Sequence, residues 1–246
     1  MIWLLAPVFN ESQNVSALIN SVDLEITRGL AFTWIIVDDG SDDDTVRQTK
    51  ACLGEGHVLI EMGRNGGPGK AFEAGMKHFL GHASKTDLLL TLEGDGTADL
   101  ESLSEMLRMQ HDKNAHLVLA SVYLPGGGFS KTSALRLMIS HAANSLSRIW
   151  LGMPYQTLTS FYRLWTYGAL EQINDKYQPL IESSGFICQV ELLYKSHLLQ
   201  HRITEVPTRV YSERRKGPSK MKLLKTALSH INFLLQSRKY KKTSNN

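Results

Sequence analysis

Cysteine is scarce in this 246-residue chain: Cys52 and Cys188 stand far apart and are the only two. That is too few for a disulfide framework and the wrong spacing for a zinc site. A reducing compartment is the simplest reading. Long apolar runs are also missing. No stretch reaches the ~18 residues that would suggest a membrane span. The apolar opening, Met1 to Phe9, is short, lacks a positive flank and is interrupted by Pro7 and Asn10, so no signal peptide is expected. There is no internal repeat. The Walker spacing of a P-loop is absent, and so is the glycine fingerprint of a dinucleotide site after the first apolar run. Those two absences argue against P-loop nucleotide chemistry and against a nicotinamide oxidoreductase.

What is present is ordinary in bulk and uneven in distribution. Hydrophobic residues make up 42% and charged residues 21%, values that place the chain among soluble globular proteins. Length allows one domain or two. From Arg209 onward there are 11 Lys or Arg and one acid, Glu213, which leaves the first 208 residues with a net charge of −7. A basic segment on an acidic body calls for an anionic partner: phosphate, a membrane surface or nucleic acid.

Short apolar runs alternate with amphipathic segments through the first half. Ile2–Ala6, Trp34–Val37, Val58–Ile60, Leu88–Leu92 and Leu117–Ala120 read as buried strands. Val15–Leu24, Thr45–Leu53, Ala71–Leu80 and Leu100–Gln110 read as helices between them. The alternation predicts an α/β fold, a mainly parallel sheet covered by helices on both faces. Further on, helices are predicted over Ser133–Trp150, Phe186–Leu199 and about 220–236, and over Ile203–Tyr211 either a strand pair or an extended segment broken at Pro207. The polar run Arg238–Asn246 is expected to fray. Residues 1–219 are expected to form the catalytic domain and 220–246 a separate basic, amphipathic segment.

In parallel sheets ligands sit beyond the carboxyl ends of the strands, and polar residues collect at each of those ends. They are Pro7-Val8-Phe9-Asn10-Glu11, Asp38-Asp39-Gly40-Ser41, Arg64 to Gly69, and Glu93-Gly94-Asp95-Gly96. Glu93 and Asp95, two apart on an extended chain, point to one side and can share a hard cation, Mg2+ or Mn2+. A simple turn at Gly94 is the alternative. Asp38 and Asp39 can accept hydrogen bonds from a base or ribose; Asp42–Asp44 are explained by the helix that starts at Thr45. The loop through Gly69 either approaches a phosphate or packs tightly on a neighbour. Arg136 and Ser140 share a helix face. Arg214, Arg215, Lys216, Ser219 and Lys220 surround Gly217-Pro218 and suit a phosphate, or form a solvated loop. The last helix carries Leu224, Ala227, Leu228, Ile231, Leu234 and Leu235 on one face, which meets either an anionic membrane or the protein's own core. Nucleic acid is not expected as a partner, since only Tyr211 and Tyr240 lie nearby to stack bases.

Taken in order, these motifs resemble the family 2 glycosyltransferases of the GT-A fold, and within them the dolichyl-phosphate mannose synthase branch. The likeness spans roughly residues 2 to 222, from Pro7-Val8-Phe9-Asn10-Glu11 through Glu93-Gly94-Asp95 to the Arg214–Lys220 loop. It implies an inverting transfer from a GDP- or UDP-sugar to a polyprenyl phosphate on the cytoplasmic face of a membrane, or, as a second reading, extension of a saccharide or lipid-linked glycan. The resemblance further implies that Pro7, Phe9, Glu11 and Asp38 line the nucleotide pocket. Asp95 with Glu93 would hold the metal and the donor diphosphate, and Arg136 and Ser140 would meet the acceptor phosphate. Arg214 and Lys220 would close over the donor. The chain departs from the family pattern at Glu93-Gly94, where Asp-Ala is usual, at Thr97 for Gln, and at Val122 for an arginine.

Overall fold

The computed structural model describes residues 1–26, 31–132, 134–217 and 223–244. Among the described residues nine strands occur in chain order: β1 (Ile2–Val8), β2 (Phe32–Asp38), β3 (Val58–Glu61), β4 (Leu88–Thr91), β5 (Leu117–Ser121), β6 (Gly128–Ser130), β7 (Arg163–Thr166), β8 (Ile203–Pro207) and β9 (Arg209–Tyr211). The helices among the described residues are α1 (Val15–Ile26), α2 (Thr45–Cys52), α3 (Pro68–His82), α4 (Ser102–Asp112), α5 (Ala134–Leu151), α6 (Tyr167–Lys176), α7 (Cys188–Leu198), α8 (Leu223–Gln236) and α9 (Arg238–Ser244).

Seven strands form one sheet in the order β3-β2-β1-β4-β7-β5-β8. All neighbours run parallel except β7, which lies antiparallel between β4 and β5. The near-continuous apolar character of the strands follows from burial on both faces. Along β1, Trp3 and Leu5 enter one core cluster while Ile2, Leu4, Ala6 and Val8 enter the other. The first cluster includes side chains of α3, α6 and α7, and the second those of α1 and α4. The five strands and four helices expected in the first half are therefore all present, with ends shifted by a few residues.

Three elements escaped the sequence reading: β6, β7 and α6. Of the two forms expected for Ile203–Tyr211 the strand pair is present: β8 and β9 flank Thr208, whose N–H donates to the Ser121 carbonyl at 3.0 Å, and join different sheets. The expectation of a frayed Arg238–Asn246 is corrected: Arg238–Ser244 is helical and Tyr240 is buried. Phe233, Leu234 and Tyr240 belong to the same core as the sheet. The boundary expected at 219–220 falls outside the described residues.

β1 is flanked by β2 on one side and β4 on the other, so the chain reverses its direction of travel across the sheet at this point. That is where an open α/β sheet leaves a crevice for a ligand. The second sheet, β6 with β9, is parallel and small. It matters because Val210 bridges to Ala98 and the Tyr211 N–H donates to the Thr97 carbonyl at 2.9 Å. These bonds carry the chain after β9 to the end of β4.

Candidate active site

At the end of β2, Asp38 is 2% exposed. Its Oδ2 accepts the N–H of Gly40 at 3.1 Å and of Ser41 at 3.0 Å, while Oδ1 is buried without a partner among the described residues. A buried acceptor left unpaired costs free energy unless something supplies a donor. Asp39 differs. Its two oxygens take the N–H groups of Gly66 at 2.7 Å and Gly67 at 2.8 Å, so it clamps the glycine loop. Burial pushes the Asp39 carboxyl above its ordinary range, against the pull of those two bonds.

That loop ends at Gly69, and tight packing explains its glycine. A Cβ there would lie 1.8 Å from the Ser183 carbonyl oxygen, and the Gly69 N–H donates to the Ser184 carbonyl at 2.8 Å. The N–H that would meet a phosphate is thus already engaged.

At the end of β1, Pro7 and Phe9 are half-buried and Glu11 is buried. The Glu11 N–H donates to Thr45 Oγ1 at 2.7 Å, and its carboxylate accepts from Asn14 Nδ2 at 2.6 Å. Asn14 continues the chain of contacts. It accepts the Lys216 N–H at 2.8 Å and donates to the Lys216 carbonyl at 3.0 Å, pairing with that peptide on both edges. Asn14 carried no signal in the sequence, since its partner lies 202 positions away.

The acidic motif after β4 is a turn at Gly94-Asp95 rather than an extended strand; Glu93 is exposed and Asp95 is 7% exposed. Asp95 Oδ1 accepts from the N–H and hydroxyl of Thr97, at 3.1 and 2.8 Å. Its Oδ2 faces the Arg215 guanidinium at 3.0 Å. The Arg215 Nε is itself buried without a partner among the described residues. Arg214 turns the other way; it lies 4.1 Å from the Tyr211 ring centroid and donates to the Ala98 carbonyl at 3.2 Å. Arg215, named in the sequence only as part of a basic cluster, is the member that reaches the acid.

Ser140 on α5 shares a hydrogen bond of 2.9 Å with the Tyr123 hydroxyl, just past β5. Arg136 lies on α5, and its side chain is outside the described ones; Ser219 and Lys220 are outside the described residues. Among the described residues no three His, Cys, Asp or Glu side chains form a metal cage. A cage is not needed for Mg2+ or Mn2+ beside a nucleotide, which take one or two carboxylates and complete their shell with substrate phosphate and water. Asp95, buried and already drawing a cation to Oδ2, fits that role.

Comparison with known proteins shows the family. The model of the family described as glycosyl transferase family 2 matches residues 4–173. A polyprenol monophosphomannose synthase of Mycolicibacterium smegmatis is 29% identical over 88% of this chain and 79% of its own. An undecaprenyl-phosphate mannosyltransferase of Micrococcus luteus is 32% identical over 76% of this chain and 74% of its own. Among solved structures, a glucosyl-3-phosphoglycerate synthase of Mycobacterium tuberculosis, in complex with Mn2+, UDP-glucose and glycerol 3-phosphate, superposes with a TM-score of 0.65 at 16% identity, covering 97% of this chain and 79% of that one. At that identity the likeness speaks for the fold, which is GT-A. Matched over more than half its length, the chain belongs to glycosyl transferase family 2.

Proposed function

We propose that the chain moves a sugar from a nucleoside diphosphate sugar to a polyprenyl phosphate, with inversion, at the cytoplasmic face of a membrane. The observation that carries this is the meeting of Asp95 with the Arg214–Lys216 loop at the reversal point of the sheet. The two relatives named for polyprenyl-phosphate mannose transfer support the acceptor class. Among the described residues no helix is long and apolar enough to cross a membrane.

Each residue then has a task. Asp38 offers the unpaired Oδ1 to a hydroxyl or ring N–H of the nucleoside. Asp39 and Asn14 are positioning residues, one fixing the glycine loop and the other the basic loop. A divalent cation, Mg2+ or Mn2+, bound at Asp95 supplies neutralising charge to the departing diphosphate. Arg215, 3.0 Å from Asp95 Oδ2, adds cationic charge beside it, where charge-assisted hydrogen bonds to phosphate are strongest. The Ser140 and Tyr123 hydroxyls, with Arg136 on the same helix, stand on the acceptor side. A phosphate monoester with a second pKa of about 6 is mostly dianionic at neutral pH, so it attacks the anomeric carbon without a general base. The protein's work is orientation and charge stabilisation.

The test is a thermal-shift panel of nucleoside diphosphates with and without Mn2+, followed by transfer from a radiolabelled donor. One diphosphate is expected to raise Tm in a metal-dependent way, and label is expected to move into a lipid-extractable product. Asp95→Asn should abolish transfer with Tm nearly unchanged. No shift with any nucleotide, or near-normal transfer by Asp95→Asn, refutes the site; a water-soluble saccharide product instead selects the glycan-extending reading.

A further inference from the structure

We infer that His78 and His82, toward the end of α3, form a two-imidazole site for Zn2+ or Cu2+, separate from the position at Asp95. The two residues take no part in the transfer proposed above. They stand four apart in a 15-residue helix, so they share a face one turn apart. That spacing is how two histidines of one helix reach a single ion. Their rings stack with centroids 4.1 Å apart and planes 18° from parallel. The terminal torsion of a histidine is broad, so small rotations turn one nitrogen of each ring toward a common ion.

The hydrogen bonding leaves the ligand nitrogens open. His82 Nδ1 lies 2.9 Å from the His78 carbonyl oxygen, which can only accept. Nδ1 therefore carries a proton, and in the neutral ring the lone pair is on Nε2. Metal-bound histidines use this arrangement, one nitrogen donating to a carbonyl and the other holding the ion. Among the described residues, neither His82 Nε2 nor either ring nitrogen of His78 has a hydrogen-bond partner. The Trp3 ring backs His78 at 6.4 Å, and the Trp3 indole N–H is fixed by donation to Asp87 at 3.0 Å. Burial, with the charge of His82 beside it, holds the His78 imidazole below its ordinary value. A ligand imidazole must be neutral, so His78 is ready at neutral pH without losing a proton.

A second pair with the same spacing lacks these features. His197 and His201 also stand four apart, but α7 ends at Leu198, so they do not share a helix face. His201 is buried, with Nδ1 2.9 Å from Ser196 Oγ and Nε2 3.0 Å from Gln172 Oε1. Both of its nitrogens are engaged. Ligand type separates the site on α3 from the catalytic one. Imidazole suits Zn2+ and Cu2+, whereas carboxylate oxygen and water suit Mg2+ and Mn2+. Distance separates them too: His78 and His82 lie about 14–20 Å along α3 from Gly69 near its start. Two protein ligands are one fewer than a catalytic zinc site has, so water completes the shell and the ion exchanges. It is held only while the last turn of α3 is helical, so binding stabilises the folded chain.

The full chain, stripped of metal, is titrated with Cu2+ and followed by electron paramagnetic resonance. The wild type is expected to show the superhyperfine pattern of two imidazole nitrogens. His82→Gln, at an exposed position, is expected to lose that pattern and to bind roughly tenfold or more weakly, no less than the loss of a group that only orients a ligand. His197→Gln should bind as the wild type does, and excess Mg2+ should not displace the ion. With Zn2+ at about a hundredfold excess over its Kd, wild-type Tm should rise by up to about 5 °C, and that of His82→Gln by far less. Equal Cu2+ affinity in wild type and His82→Gln overturns the inference. So does a one-nitrogen pattern in the wild type, displacement by Mg2+, or loss of the site in His197→Gln rather than in His82→Gln. A Zn2+-induced rise in Tm of the same size in both chains overturns it as well.

Discussion

Asp95 holds two hydroxyl-and-amide donors on one oxygen and a guanidinium on the other. A divalent cation bound there must share or displace Arg215 from Oδ2, since both positive charges seek the same lone pairs. Arg215→Gln should therefore tighten Mn2+ binding in the absence of nucleotide by roughly tenfold, the scale of one partly buried ion pair. Titration of free Mn2+ by electron paramagnetic resonance measures it, and an unchanged affinity would separate Arg215 from the metal site. The sequence made one half of this pair legible. Carboxylates directly after buried strands stand out, so Asp95 and Asp38 were found. Arg215 was hidden among three adjacent cations, because which of them turns inward depends on the pairing of Val210 with Ala98, more than a hundred positions apart. Of the two backbone forms the sequence leaves open at Glu93-Gly94-Asp95, a shared extended face or a turn at Gly94, the turn is present.

Helix α3 offers an internal control on how an element is fitted to its neighbours. Gly69 and Gly81 both lie in it, but a Cβ at Gly69 would strike the Ser183 carbonyl, while a Cβ at Gly81 meets nothing within 4 Å. Gly69→Ala should cost upward of about 3 kcal/mol by forcing the 183–184 backbone away. Gly81→Ala should gain about 0.4–1 kcal/mol; urea melts of the two variants check both signs. A second element-scale test concerns His201, just past α7, whose ring stacks on His116 at 5.1 Å and bonds Ser196 of α7. Burial, aided by the charge of His116, pushes its pKa down from 6.5 to about 4. The unfolded chain then binds a proton that the folded one refuses. Stability is complete above about pH 6.5 and falls, by up to about 1.4 kcal/mol per pH unit, as pH drops toward 4. His201→Asn should flatten that slope in Tm against pH. Periodicity revealed β1 to β5 because each is built on a run of apolar residues. It missed β7, four residues opening on the fully buried Arg163, but it caught α7 within two residues at each end although Gln189, Glu191, Lys195 and Ser196 there are all 0% exposed.

At the scale of the whole molecule, α8 and α9 close the core rather than hang from it. Glu191 and Lys195 pair at 2.7 Å with neither side chain exposed. Buried ion pairs survive only when their surroundings keep every donor and acceptor engaged. Glu191 takes the N–H groups of Glu182 and Ser183, and Lys195 donates to the Leu180 carbonyl at 2.9 Å. The remaining cover is aromatic: the Lys195 ammonium lies 5.2 Å from the Tyr177 ring and 5.0 Å from the Tyr240 ring. Tyr240 comes from the segment that composition alone marks as a polar tail, because one tyrosine among four cations gives no amphipathic signal, yet that tyrosine seals the pair. Tyr240→Ala should cost about 3–5 kcal/mol, the scale of removing a buried aromatic ring, with a further loss of cation–π attraction. For a chain of this size that is roughly 10 °C in Tm. Lys242→Ala, exposed on the same helix, should leave Tm within about 1 °C. Calorimetry of the two variants decides between a helix that is part of the fold and a tail that is not, since a frayed tail would make both substitutions silent.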